Sequence, residues 1–158
     1  MTIMLNETMD MFWTRSPTEG EIPRFDSDNI LSYLASLRKD KNATRGRERF
    51  REGYIHNVFV TKPNGSDRMY IKAKCGQKTY QHCYDICVEL SRSTAEVVKA
   101  ECTCNPYRKH TAACKHVVGL LYEFDDFWRS GLTELQPQYH PHEHVCRRRP
   151  INIRESSR

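Results

Sequence analysis

The sequence predicts an α+β domain: a small antiparallel sheet of about four strands, with one helix before it and one after it. Three observations predict it. Four short stretches of strand-forming residues follow one another between positions 58 and 104 with no helical pattern between them, which favours an antiparallel meander. Asn64-Gly65 separates the first two, a strong hairpin signal. Apolar residues recur at helical spacing on either side of this block.

Residues 1–25 carry Pro17, Gly20 and Pro23 among scattered acids and read as a disordered arm. Asp26-Ser27-Asp28 then offers a helix N-cap. Ile30, Leu31, Leu34 and Leu37 follow as an apolar stripe with Tyr33 beside it, and this helix is expected to end near 39–42. A basic helical turn or two is expected over 44–52. Strands are expected at 58–60, 69–74, 84–90 and 95–104. In the third, Tyr84, Ile86, Val88 and Leu90 share a face; in the fourth, Val98, Ala100, Cys102 and Cys104 do, because side chains alternate along a strand. From Cys114, the stripe Val117, Leu120, Leu121, Phe124 and Trp128 predicts a helix that ends by Gly131, with Glu123, Asp125 and Asp126 on its solvent face. Residues 133–158 read as a disordered His/Arg-rich tail, which leaves one domain over 26–132.

The chain has 158 residues, of which 38% are hydrophobic and 28% charged. That supports one modest core, which a metal can supplement. No apolar run approaches the ~20 residues of a membrane helix. The start lacks the basic-then-apolar pattern of a secretory leader, so an intracellular chain is expected. The formal charge is +5, concentrated in two segments. Arg38, Lys39, Lys41, Arg45, Arg47, Arg49 and Arg51 face only Asp40 and Glu48, and Arg147, Arg148 and Arg149 lie in the tail. Such segments contact phosphates, or else form a solvated helix face and a loose tail.

Seven Cys, an odd number, accompany seven His. In an intracellular chain this favours metal ligation over a disulfide scaffold. The sharpest pattern is Cys102-Thr103-Cys104, nine residues, then Cys114-Lys115-His116. Three thiolates and an imidazole suit tetrahedral zinc. Cys102 and Cys104 end a strand on one face, and Cys114 and His116 open the last helix, whose N-terminus favours thiolate charge. The expected result is a zinc-clasped C-terminal helix. His110, in the intervening loop, is a spare donor for the fourth place. A closed Cys3His site has no open coordination position, so one structural Zn2+ is expected, with the C-terminal half of the domain the first to be lost without it. Cys83 and Cys87 lie about 13 Å apart along an extended strand, too far for one further ion. His140, His142, His144 and Cys146 alternate in the tail as a loose polar tract or an adventitious chelator.

Cys-x-Cys, a spacer, then Cys-x-His leading into an apolar helix resembles the SWIM zinc finger. The matching text is EVVKAECTCNPYRKHTAACKHVVGLLYEF over 96–124, with the finger core at 96–128. Cys102, Cys104, Cys114 and His116 fall on the family's four zinc positions. Upstream, DNILSYLASL, RERFREGYIHNVFV, YIKAKC and YDICVELS resemble the region before the finger in eukaryotic SWIM proteins of mobile-element or viral-recombinase type. The resemblance implies a non-catalytic module that binds zinc and mediates protein and/or DNA interaction, in the nucleus or cytoplasm. It implies no small-molecule substrate. The tail, HPHEHVCRRRPINIRESSR, is too short for the nuclease domain that follows the finger in some relatives, so nuclease activity is not carried over.

A DNA partner would meet Arg45, Arg47, Arg49 and Arg51, together with Arg108, Lys109 and Lys115 around the finger, and would bind with a steep salt dependence. A protein partner would meet an exposed apolar patch that includes Phe127 and Trp128. The competing class is an accessory module or fragment of a transposase or recombination nuclease. The sequence lacks H-E-x-x-H, a P-loop, G-x-G-x-x-G and the deaminase pair H-x-E and P-C-x-x-C.

Overall fold

The computed structural model describes residues 11–76, 83–104 and 112–131. The elements run β1 (Trp13–Thr14), α1 (Ser27–Ser36), α2 (Asn42–Arg51), β2 (Ile55–Thr61), β3 (Arg68–Gly76), β4 (Cys83–Ser91), β5 (Val97–Cys102) and α3 (Lys115–Arg129), with a 3-10 turn at Glu19–Glu21. The sheet is a five-stranded antiparallel meander in the order β1-β2-β3-β4-β5. The α+β architecture is as the sequence predicts. No helix among the described residues is long and apolar enough to cross a membrane.

The fifth strand comes from the segment expected to be disordered. Trp13 pairs with Thr61 and Thr14 with Val60. Ile22 and Phe25 are buried in the main core, and the Phe25 ring meets Phe124 edge-on with centroids 5.3 Å apart. The fold therefore begins within the arm, because Phe25 buries its ring against α3. Residues 1–10 and 132–158, the expected tail included, lie outside the described residues.

Local signals act as their chemistry dictates. Asp26 caps α1, accepting from the Asp28 and Asn29 N–H groups at 2.9 and 3.3 Å, while Asn29 Oδ1 accepts from the Asp26 N–H at 2.9 Å. The helix stops at Ser36, earlier than expected, and Arg38 takes a left-handed φ of 57°. Only Ile30 and Leu34 of the α1 stripe are buried; Leu31 and Leu37 are exposed. Between β2 and β3, Gly65 has a φ of +88° and the Ser66 N–H donates to Asn64 Oδ1 at 3.1 Å, so this dipeptide turns the chain as predicted.

Two bulges change the expected faces. Between the pairs Glu89↔Lys99 and Leu90↔Val97 the register shifts, and Val98 becomes the extra residue. Val97 packs against the core and Val98 is exposed, while Ala100 and Cys102 keep the inward positions predicted for them. A second shift lies between His56 and Phe59 in β2.

Helix α3 is the centre of the molecule. Every residue from His116 to Phe127 except Asp126 is buried. The sheet covers one side, and α1 and α2 cover the other. Of the expected solvent face only Asp126 is partly exposed: Glu123 and Asp125 are buried, and Asp125 Oδ2 accepts from Arg129 Nη2 at 3.1 Å. Phe127 is also buried, and Trp128 is half-buried with the Arg24 guanidinium over its ring, so these two do not form the expected exposed apolar patch.

Gly46 of α2 and Gly119 of α3 let the two helices approach closely. A Cβ built on Gly46 would lie 2.2 Å from Val118 Cγ1 and 2.4 Å from Val118 Cβ. A Cβ on Gly119 would lie 3.3 Å from the Gly46 carbonyl oxygen. Alanine is the better helix former by roughly 1 kcal/mol, yet here overlap with a side-chain root outweighs that gain. Gly46→Ala is therefore expected to lower stability by about 2 kcal/mol, read as a fall in melting temperature. Gly20→Ala, with nothing within 4 Å of its Cβ, should leave the melting temperature where it is.

Candidate metal centre

Strand β5 and helix α3 bring four donors to one point. Register places Cys102 opposite Ile86 at the inward-facing end of β5. Pairing continues one residue further: the Thr103 N–H donates to the Asp85 carbonyl at 3.1 Å, and Thr103 Oγ1 accepts from the Asp85 N–H at 2.9 Å. Thr103 thus fixes the turn of the Cys-x-Cys pair against β4 and swings Cys104 to the same side as Cys102. On the other side, Cys114 is the N-cap of α3, in an extended conformation, and its carbonyl accepts the first helical bond from the Val118 N–H at 3.0 Å. His116 lies in the first turn.

The ligand atoms of Cys102, Cys104, Cys114 and His116 all lie within 4.8 Å of one another. His116 Nδ1 is 3.7 Å from Cys102 Sγ and 3.8 Å from Cys114 Sγ, so the imidazole presents Nδ1 to the thiols. The Tyr84 ring packs against the imidazole at 4.8 Å and 43°, which fixes its plane. Cys102 and His116 are buried; Cys104 and Cys114 are half-buried. This group can hold a metal ion.

Electrostatics agree with that use. The three thiols crowd one another, and their hydrogen bonds gather negative charge on one sulfur. Hydrogen bonding from Cys102 and then Cys114 holds Cys104 far below the usual thiol range, while the bond to Cys104 pushes Cys102 far above it. Three thiolates cannot share so small a space without a cation, and binding a metal ion here must release protons. Acid reverses this, so metal affinity falls as pH falls.

Three residues that the pattern of donors did not point to support the site, two from α1 and α2 and one from β4. Tyr33 Oη donates to the Ala112 carbonyl at 2.6 Å, and Asn42 Nδ2 donates to the Ala113 carbonyl. Both hold the two residues that lead into Cys114. Burial, reinforced by Cys114, pushes the Tyr33 phenol up to about 12, so it remains a donor throughout the physiological range. Tyr84 is the third. A tyrosine beside an apolar stripe and an asparagine at a helix start carry no local mark of this role, since their acceptors lie more than 70 positions away.

The remaining expectations divide. Cys75 faces the core and Cys87 the opposite side of the sheet, and burial pushes each thiol up to about 12. They are packed thiols, not a second site. Arg45, Arg47 and Arg51 are exposed on α2, with Arg47 over the Tyr122 ring at 5.0 Å, and Lys115 is half-exposed. Arg49 departs from the expected basic face: it is buried, 3.2 Å from Glu52 Oε1 and 4.8 Å over the Tyr54 ring, because it lies one turn from Gly46 on the packed side of α2. Glu48 shares the outer side with Arg45, so the basic run is interrupted. Arg108, Lys109, the spare donor His110 and the tract from His140 to Cys146 lie outside the described residues.

No protein-family model, no curated protein and no solved structure matches the chain.

Removing one neutral hydrogen bond behind the site costs about 1 kcal/mol, roughly a fivefold change in a binding constant. Tyr33→Phe is expected to weaken metal binding by about that factor while leaving the stoichiometry intact. Competition with a chromophoric chelator measures it; unchanged affinity would remove Tyr33 from the support of Cys114.

Proposed function

We propose that the chain is a non-catalytic, SWIM-type zinc module in which Cys102, Cys104, Cys114 and His116 hold one structural Zn2+ and the surrounding surface binds a protein and/or DNA partner. The convergence of those four donors within 4.8 Å carries this reading. Zinc takes thiolate at about 2.3 Å and imidazole at about 2.0–2.1 Å, which in a tetrahedron puts sulfur and nitrogen about 3.5 Å apart. The 3.7 and 3.8 Å separations between His116 Nδ1 and the sulfurs of Cys102 and Cys114 are close to that value. The donor set supports zinc over harder cations, which prefer oxygen.

Four protein ligands leave no position for a substrate or a water, which supports a structural role. When bound, the ion supplies the charge that lets three thiolates coexist. The residues do the rest: Thr103 seats the strand end, Cys114 starts the helix, and Tyr33 and Asn42 hold the approach. The spacing Cys-x-Cys, Cys-x-His and the buried helix after it support the SWIM reading in particular. The carboxylates of α3 are engaged in packing and in the Asp125–Arg129 ion pair, so they offer no support for a nuclease fragment. Exposed Arg45, Arg47 and Arg51 support a nucleic-acid contact, and the interruption by Glu48 favours a mixed protein and DNA surface over a long electrostatic groove.

Native mass spectrometry of untagged protein, against a denatured control, tests the central part. One zinc per chain is expected, lost in Cys114→Ser and in His116→Ala together with helical circular dichroism. A folded chain that binds no zinc would overturn the proposal.

A further inference from the structure

The sheet face turned away from the core is only partly covered. Met11 and Trp13 lie over Tyr70 and Cys87. Next to them is an open cleft of about 370 Å³ whose walls include Asn57, Phe59, Lys72, Lys74 and Asp85. That volume suits a small organic group. Nothing in the metal centre uses it.

Three features of the cleft point to a ligand. Asn57 belongs to the β2 bulge, where positions 57 and 58 together oppose Ala73 between the pairs His56↔Lys74 and Phe59↔Lys72. Its φ is 55°, a conformation with a backbone cost, and its side-chain amide makes no hydrogen bond among the described residues. Bulges of this kind re-aim side chains and recur beside binding sites. Lys72 has no carboxylate partner among the described residues. Its ammonium lies 4.3 Å from the Trp13 ring centroid and 5.6 Å from that of Phe59, and partial burial pulls its pKa below the usual lysine value. Lys74, by contrast, is neutralised by Asp85 at 2.6 Å. The cleft therefore presents a cation held beside two rings with no carboxylate partner among the described residues, an amide with no hydrogen bond among them, and a half-buried aromatic ring.

These three groups match the base face, the base edge and the phosphate of a nucleotide. A ring face stacks on any base, an ammonium attracts a phosphate, and an amide donates to and accepts from a base edge. A polyglutamate peptide would satisfy the ammonium but has no aromatic ring to stack on Phe59. A base within a duplex is paired and stacked, so its face cannot reach the floor of a cleft. We infer that this cleft binds one unpaired nucleotide of a single-stranded nucleic acid, with the base against Phe59, its edge at Asn57 and a phosphate at Lys72. The inference rests on the nucleic-acid side of the function proposed above and locates that contact on the sheet, apart from the arginines of α2.

Fluorescence anisotropy with a labelled 12-nucleotide single-stranded oligothymidylate, and with a 12-base-pair duplex, tests this on the full zinc-supplied chain. Wild type is expected to bind the single strand at least about tenfold more tightly than the duplex. Phe59→Leu, which keeps the apolar volume, should weaken single-strand binding about tenfold through lost stacking. Lys72→Gln should weaken it and lower the log–log salt slope by about 0.7, the loss of one phosphate contact. Each variant is checked for metal content and circular dichroism, and Asn57→Gly, which relieves the left-handed φ, gives a third variant whose fold should not suffer. Folded, metal-loaded variants that bind the single strand as wild type does would overturn the inference, as would equal affinity for duplex. A polyglutamate peptide that binds with the same sensitivity to Phe59→Leu and Lys72→Gln would assign the cleft to an acidic peptide and overturn it too. Single-strand binding by a folded chain that holds no zinc would sustain the cleft and sink the zinc module; zinc without single-strand binding would do the reverse.

Discussion

The end of β5 and the start of α3 must meet at one point, and the rest of the molecule is arranged around that constraint. Cys102 and Cys104 arrive from a strand whose register is fixed by β4. Cys114 and His116 arrive from a helix whose first turn is fixed by its own hydrogen bonds and by Tyr33 and Asn42 behind it. Thiols at this spacing repel one another once ionised, and a cation bound among them would neutralise that charge. Because α3 is buried between the sheet and the other two helices, whatever loosens its first turn loosens the contacts of every neighbour. A small core of this kind gains from being joined at its centre.

The same centrality explains the two glycines. A helix covered on opposite sides must sit close to both layers. Gly46 and Gly119 remove side-chain thickness where α2 crosses α3, and Arg49 then lies flat between α2 and Tyr54 instead of reaching outward. The segment with the greatest positive charge in the sequence is thus partly a packing element. Arg49 is withdrawn from the surface, while Arg38, Lys39, Lys41, Arg45, Arg47 and Arg51 stay exposed with Asp40 and Glu48 among them. On the opposite face of the sheet, Lys72 has no carboxylate partner among the described residues and lies beside aromatic rings.

Much of this was legible in the sequence where the cause is local. Asp26 caps its helix, Asn64-Gly65 makes its turn, Gly131 ends the last helix with a φ of 65°, and the alternation in β4 sends Ile86, Val88 and Leu90 inward. The four donors were legible because two short pairs flank a single loop. What failed depended on distant partners. The bulges at Asn57 and Val98 exist only in relation to the strand across from them, so alternation read along one strand misassigns Val98. Glu123 and Asp125 look like a solvent face to any reading that assumes one covered side, and α3 has two. Phe25 belongs to the core through a contact with Phe124, ninety-nine positions on, that no nearby pattern announces.

The central claim is that the metal junction orders α3 and, through it, the packed layers. Amide hydrogen exchange followed residue by residue, before and after removal of the metal by a chelator, tests it most directly. Protection should fall first in the amides of α3 and the Cys102 end of β5, while the β2–β3 hairpin keeps more of its protection. Unchanged protection in α3 after complete metal removal would contradict the account.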